Sequence, residues 1–172
     1  SRVADRMYWA ARYIERAEDS ARVLRAYGDV LADLPTTSTR WSPLVTISGS
    51  GVKLPAVSGS DESQVAQFLI AERDHPNSIL NAVDRSRDNL RTCREVLPRE
   101  AWQTVNDLSI YVRGAAVTSV ERRRRDRFLG RVIDESRRLD GVLQSSMTRD
   151  EVFETWRLGR YLERADMTTR VL

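Results

Sequence analysis

One helical segment occurs twice, and the two copies set the terms for the fold. Tyr8-Trp9-Ala10-Ala11-Arg12-Tyr13-Ile14-Glu15-Arg16-Ala17-Glu18 is echoed by Trp156-Arg157-Leu158-Gly159-Arg160-Tyr161-Leu162-Glu163-Arg164-Ala165-Asp166. Arg12, Tyr13, Glu15, Arg16, Ala17, Arg22, Val23 and Leu24 recur unchanged, and Ile14/Leu162 and Glu18/Asp166 recur in kind. Core packing alone keeps apolar positions and lets charges drift. Recurring Arg, Tyr, Glu and Arg therefore call for a shared environment.

Around the first copy, Val3, Met7, Ala10, Ile14, Ala17, Ala21, Leu24, Gly28 and Leu31 alternate four and three apart. That spacing predicts a helix with a sustained heptad seam, ending before Pro35. Residues 35–60 are rich in Pro, Thr, Ser and Gly and read as an irregular, mobile connection with one short helical turn near Trp41–Val45. Asp61-Glu62-Ser63 opens a helix with Val65, Phe68 and Leu69 inside. Asn77 or Ser78 caps the next, with a seam of Ile79, Val83, Ser86, Leu90, Cys93 and Leu97. Pro98 stops it and starts another, with Trp102, Val105, Leu108, Val112 and Ala116 inside. A further helix begins near Glu121 and carries Phe128, Val132, Leu139, Val142 and Leu143. Thr148 and Glu151 have the spacing of a capping box for the last helix. No strand-like alternation occurs. The expectation is all-α: an antiparallel bundle of five to six helices with short loops.

The final helix is still periodic at Leu172. With the repeat, this suggests a unit over 1–148, and 149–172 as the first helix of a second unit in a longer parent. The chain opens at Ser1, not methionine, so trimming ahead of it is also expected.

Composition narrows the function classes. With 172 residues, 41% apolar and 31% charged, the chain can bury a real core. The net charge is only +3, from 28 basic and 25 acidic residues, which argues little for an anionic partner. Lys53 is the only lysine, so the basic side is almost wholly arginine. Arg122-Arg123-Arg124-Arg125-Asp126-Arg127 spreads over every side of a helix, so a solvated helix start or an acid-docking surface is expected over nucleic-acid binding. The lone Cys93 excludes an internal disulfide, reads as a core residue and suits a reducing cytoplasm. No apolar run is long enough to span a bilayer, so no membrane role is expected.

A second stripe accompanies the seam. Tyr8, Arg12, Glu15, Asp19 and Arg22 lie on the helix side away from it, and Trp156, Arg160, Glu163, Met167 and Arg170 repeat the stripe. Arg12–Glu15, Glu18–Arg22, Arg160–Glu163 and Asp166–Arg170 have the spacing of intrahelical ion pairs. Three explanations compete: a buried Arg–Glu network fixing how the helices cross, a ligand site with Arg forks and a basic Glu15 or Glu163, and a metal site from Glu15, Glu18, Glu163 and Asp166. The single histidine, His75, counts against metal, because di-iron bundles add Glu-x-x-His motifs. No metal or cofactor is expected. The candidate ligand- or partner-binding residues are Tyr8, Arg12, Glu15, Arg16, Arg22, Trp156, Arg160, Glu163, Arg164 and Arg170, with Trp9 and Trp156 flanking a cleft.

These segments also carry a resemblance. Ser1–Glu18, Asp74-His75-Pro76-Asn77-Ser78-Ile79, Arg91–Trp102 and Gly159–Thr168 are similar to the bacterial alpha-E domain family, an α-helical domain with a Glu-Arg motif. His75 stands where that family more usually has Asn. The resemblance runs the full length of the chain, and it implies a parent roughly twice as long. It also implies a setting beside ATP-grasp proteins and transglutaminase-like proteases in a peptide-making or peptide-modifying system. The expected function is a non-catalytic helical partner or scaffold of that system, with Glu15, Arg16, Glu163 and Arg164 on its functional face. The alternative is an enzyme or ligand-binding domain with its pocket between the two Glu-Arg helices. Expected partners are an ATP-grasp or transglutaminase-like protein, and a homo-oligomer stays open.

Overall fold

The computed structural model describes residues 1–33, 41–49 and 62–172. Its helices are α1 (Arg2–Ala32), α2 (Pro43–Ile47), α3 (Glu62–Ile70), α4 (Ile79–Arg91), α5 (Arg99–Ala115), α6 (Arg122–Ser146) and α7 (Glu151–Val171). Short 3-10 turns cover Arg94–Val96 and Thr118–Val120, and there is no strand among the described residues. Helix α1 stops before Pro35 as the sequence predicts, and α2 is the short helical turn expected after Trp41. The rest of the irregular connection, 35–40 and 50–60, lies outside the described residues, as do Leu34 and the Asp61 expected to open α3.

Helix α1 is the central strut, packed against α4, α6 and α7. Its seam of Met7, Ala10, Ile14, Ala17, Ala21 and Leu24 is buried almost completely. Small residues at 10, 17 and 21 let neighbours approach, and the buried Ser86 hydroxyl donates to the Ala10 carbonyl oxygen at 2.9 Å. Lateral contacts give the directions. Arg6 meets Asn89 and Arg16 meets Asn77, so α4 runs against α1. Arg25 meets Asp126 and Glu18 meets Arg137, so α6 does too. Asp84 meets Arg113 while Arg87 meets Asn106, which makes α4 and α5 antiparallel. The exception is α7: Tyr8 and Ala11 touch Gly159, and Asp19 and Val23 lie beside Met167. The two repeated helices therefore run side by side in the same direction.

Several local expectations change. Of the two expected caps for α4, Ser78 takes the position, its hydroxyl accepting from the Asn81 amide, while Asn77 is engaged elsewhere. Asp150, not Thr148, caps α7 through the Phe153 amide at 3.0 Å. A helix starting at Glu151 puts Asp150 at the capping position and an apolar Phe153 where a box needs Glu. Helix α4 ends at Arg91, so Cys93 is buried beyond it and Leu97 is only partly covered. Trp102 is half-buried rather than internal, with Arg87 and Arg94 lying over its face. Val142 is likewise partly exposed.

His75 is fully buried, with its ring stacked on Phe68 at 4.1 Å and neither ring nitrogen partnered among the described residues. Burial lowers its pKa to about 4, against the opposing charge of Glu72. The unfolded chain, with a value of 6.5, takes up the proton first. Stability from this site is thus present above pH 6.5 and lost as pH falls toward 4. His75→Phe keeps the stack and removes the titration. Its melting temperature relative to wild type should rise by roughly 4–8 °C between pH 7 and pH 4.5 (about 2 kcal/mol). Parallel thermal melts across that range check it; a pH-independent difference would refute the assignment.

Candidate functional site

The repeated charged stripes meet along the α1–α7 interface. Glu163 lies between two arginines of α1: Arg12 Nε at 2.5 Å from Oε2 and Arg16 Nε at 2.6 Å from Oε1. Arg16 adds a second fork contact, Nη2 to Oε2, at 3.0 Å. Glu15 is treated the same way from α7. Arg160 Nε lies 2.6 Å from Oε2, off the hydrogen-bond direction, and Arg164 Nε donates to Oε1 at 2.7 Å. Both carboxylates are fully buried.

The spacing explains the exchange. In Arg-x-x-Glu-Arg the two arginines stand one turn apart on a helix face, with the glutamate between their levels. Two parallel copies brought together give each glutamate a pair of arginines from the other helix. The expected intrahelical pairs Arg12–Glu15 and Arg160–Glu163 therefore do not form; each is replaced by crossed pairs. Glu18–Arg22 and Asp166–Arg170 do form, the latter at 2.5 Å.

The remaining candidates frame this core. The Tyr8 hydroxyl accepts from Arg12 Nη1 at 2.9 Å. Trp156, its counterpart, is buried and donates Nε1–H to Asp140 at 2.8 Å, so it lines no cleft. Trp9 is part-exposed and stacks edge-on against Tyr8. Arg170 also donates to the Ser48 carbonyl oxygen at 3.2 Å, tying α7 to α2. Tyr8, Arg12, Glu15, Arg16, Arg160, Glu163 and Arg164 gather along the α1–α7 interface, whereas Arg22 pairs within α1, Arg170 pairs within α7 and with Ser48, and Trp156 pairs with Asp140 of α6. Among the described residues no group of three His, Cys, Asp or Glu could hold a metal ion. Glu15, Glu18, Glu163 and Asp166 all face arginine instead.

Sequence reasoning missed the hub role of Glu18. It is fully buried and faces Arg22, Arg137 at 3.3 Å and Arg160 at 3.0 Å, so it joins α1, α6 and α7. Asp140 and Asn77 were missed too. Asn77 Oδ1 accepts from Arg16 Nη1 at 3.0 Å, and its amide donates to the Ser48 carbonyl oxygen at 3.1 Å. Only long-range geometry reveals these partners. The arginine run behaves as its spacing predicts: Arg125 turns inward to Glu62, while Arg122, Arg123, Arg124 and Arg127 stay exposed.

Asp19 is the electrostatic misfit. It is half-buried, and its Oδ2 has no hydrogen-bond partner among the described residues. Burial first, then the charges of Glu15 and Glu18, pushes its carboxyl up to about 7, against Arg164 and Arg22. The unfolded value is 3.8, so this site favours the folded state below that pH and loses stability as pH rises through 7. Asp19→Asn should raise the melting temperature by roughly 2–6 °C at pH 8, allowing for partial solvent screening. The gain should vanish near pH 4; an equal gain at both pH values would show that ionisation is not its cause.

The fold and this interface define an all-α domain whose two Glu-Arg helices pair through exchanged ion pairs. The chain belongs to the Alpha-E family, described as a predicted α-helical domain with a conserved ER motif, whose profile matches residues 1–172. No match was found among curated proteins or among solved structures. No helix among the described residues is long and apolar enough to cross a membrane.

Proposed function

We propose that this domain is a non-catalytic helical scaffold that docks a peptide-synthesising or peptide-modifying enzyme of the ATP-grasp kind. The observation that supports it is the occupancy of Glu15 and Glu163. Their four oxygens already face Arg12, Arg16, Arg160 and Arg164, which leaves no free base at the motif and engages each of the four Arg forks through its Nε, with only Arg164 keeping an exposed outer edge. A site built to bind phosphate or carboxylate would keep such forks available. The Glu-Arg motif then acts on architecture, and function falls to the surfaces that architecture presents. The choice of an ATP-grasp partner rests on the family resemblance. The single thiol, Cys93, is buried and free, which suits a cytoplasmic setting.

Co-expression with the neighbouring ATP-grasp protein tests this, followed by size-exclusion chromatography and thermal melts with ATP, phosphate and amino acids. A stable complex is expected, with melting temperatures unmoved by the small molecules alone. A ligand bound at 100 times its Kd would add about 2.7 kcal/mol, or roughly 5–10 °C here. Such a shift without a complex would overturn the proposal.

A second reading rests on Asp19. A cleft of about 240 Å³ opens between α1 and α7 beside Arg22, Val23, Met167 and Thr168. A carboxyl titrating near 7 at its edge could hold an amine or accept a proton. Stabilisation by a primary amine, abolished in Asp19→Asn, would favour this reading.

A further inference from the structure

Helices α1 and α7 present equivalent faces to each other and meet different surroundings on the opposite side. The α1 residues Ala10, Ile14, Ala17, Ala21 and Leu24 are covered by α4 and α6. Their α7 counterparts, in order, are Leu158, Leu162, Ala165, Thr169 and Leu172, and all are exposed. Leu158 is 52% accessible and Leu162 43%, with Tyr161 between them at 55%. A contiguous apolar stripe of this kind on a long helix marks a docking face.

A polar asymmetry accompanies it. The side chain of Arg16 is 14% exposed because Asn77, just ahead of α4, holds its outer edge. Arg164, its counterpart, holds Glu15 through Nε alone and remains 48% exposed. No described residue takes the place of Asn77.

We infer that the Leu158–Tyr161–Leu162–Ala165 face of α7 is the seat of a second helical unit built like α4 and α6 and carried by the same polypeptide. The α1–α7 pair has an approximate two-fold relation, shown by the crossed Glu15 and Glu163 pairs. Applying that relation to α4 and α6 lays an equivalent pair on the exposed α7 face, continuous with the existing interface. The chemistry of the occupant follows. Its first helix carries a small hydroxyl residue to donate to the Leu158 carbonyl oxygen, as Ser86 does to Ala10. The turn ahead of it carries an amide side chain for Arg164. A second copy of this chain does not fit, since its α4 and α6 are already buried against its own α1.

Leu158→Cys and Leu162→Cys, made singly, test the inference by maleimide labelling. Cys93 gives no background, being fully buried with its thiol pushed up to about 11. Residues 1–172 alone should label fast at any protein concentration. The polypeptide at the length the cell makes it should label at least about tenfold more slowly. Hydrogen–deuterium exchange over 158–165 in the unsubstituted proteins should slow in parallel, which covers any disturbance by the cysteines. Equal rates at both lengths would overturn the inference. So would protection of 1–172 that grows with concentration (a second copy), or protection lost on separation from another protein (a foreign partner).

Discussion

Glu163→Gln should lower the melting temperature by roughly 6–12 °C, because removing one member of a buried ion cluster costs about 3 kcal/mol or more. The substitution is nearly isosteric, so packing stays as it is. The loss falls on Arg12 and Arg16, which are 19% and 14% exposed and cannot rehydrate without parting α1 from α7. Glu15→Gln should cost a similar amount, since Arg160 is 5% exposed and loses one of its carboxylates. The double variant should cost less than the sum, because α1 and α7 come apart only once. Raising the salt concentration should change little at these buried pairs, unlike exposed pairs such as Arg157–Glu154. Thermal melts of the three variants at low and high salt decide it. An unchanged melting temperature would mean that the fold does not need these carboxylates, and the ligand-binding alternative would gain. Replacing Arg12, Arg16 and Glu163 together by well-packed apolar residues should restore much of the stability, since such clusters specify register more than they stabilise.

How much of this is legible in the sequence follows from the range of each interaction. Period and punctuation are local, so α1 ending before Pro35, α5 beginning after Pro98 and the all-α class could be read directly. Recurrence marked the charged stripe as an interface, since an ordinary solvated face has no reason to repeat. The partners were not legible. Arg12 and Glu15 on one helix have ideal spacing for a pair, and only the parallel approach of α7 makes Glu163 the better acceptor. Local spacing tells which charges can meet within a helix, not which alternative wins once two helices dock. Glu18 shows the same limit. Its neighbour Arg22 is visible in sequence, whereas Arg137 and Arg160 come from distant helices. Caps fail for a smaller reason: shifting a helix start by one or two residues moves the cap from Thr148 to Asp150.

The crossed pairs need the helix axes to come close, and Gly159 is what permits it. A Cβ built there would lie 2.5 Å from the Tyr8 carbonyl oxygen and 2.8 Å from the Ala11 Cβ. Alanine in a helix interior ordinarily gains about 1 kcal/mol over glycine. Gly141→Ala, where nothing lies within 4 Å of the added Cβ, should show that gain, roughly 2–4 °C in melting temperature. Gly159→Ala should reverse the sign. The backbone of α1 must retreat, overpacking costs about 1–3 kcal/mol, and the Glu15 and Glu163 pairs lengthen together, so a fall of roughly 4–10 °C is expected. Ala11→Gly in the same chain should recover only part of it, because it removes the 2.8 Å clash and leaves the carbonyl oxygen in place. Calorimetry on Gly159→Ala, Gly141→Ala and Gly159→Ala/Ala11→Gly checks the ordering. Equal gains at 141 and 159 would mean that the helices stand farther apart than these contacts require. The Glu-Arg pairs would then bridge a gap that a methyl group can enter. Close approach at Gly159 and ion exchange at Glu15 and Glu163 therefore stand or fall together, since both depend on one interaxial distance.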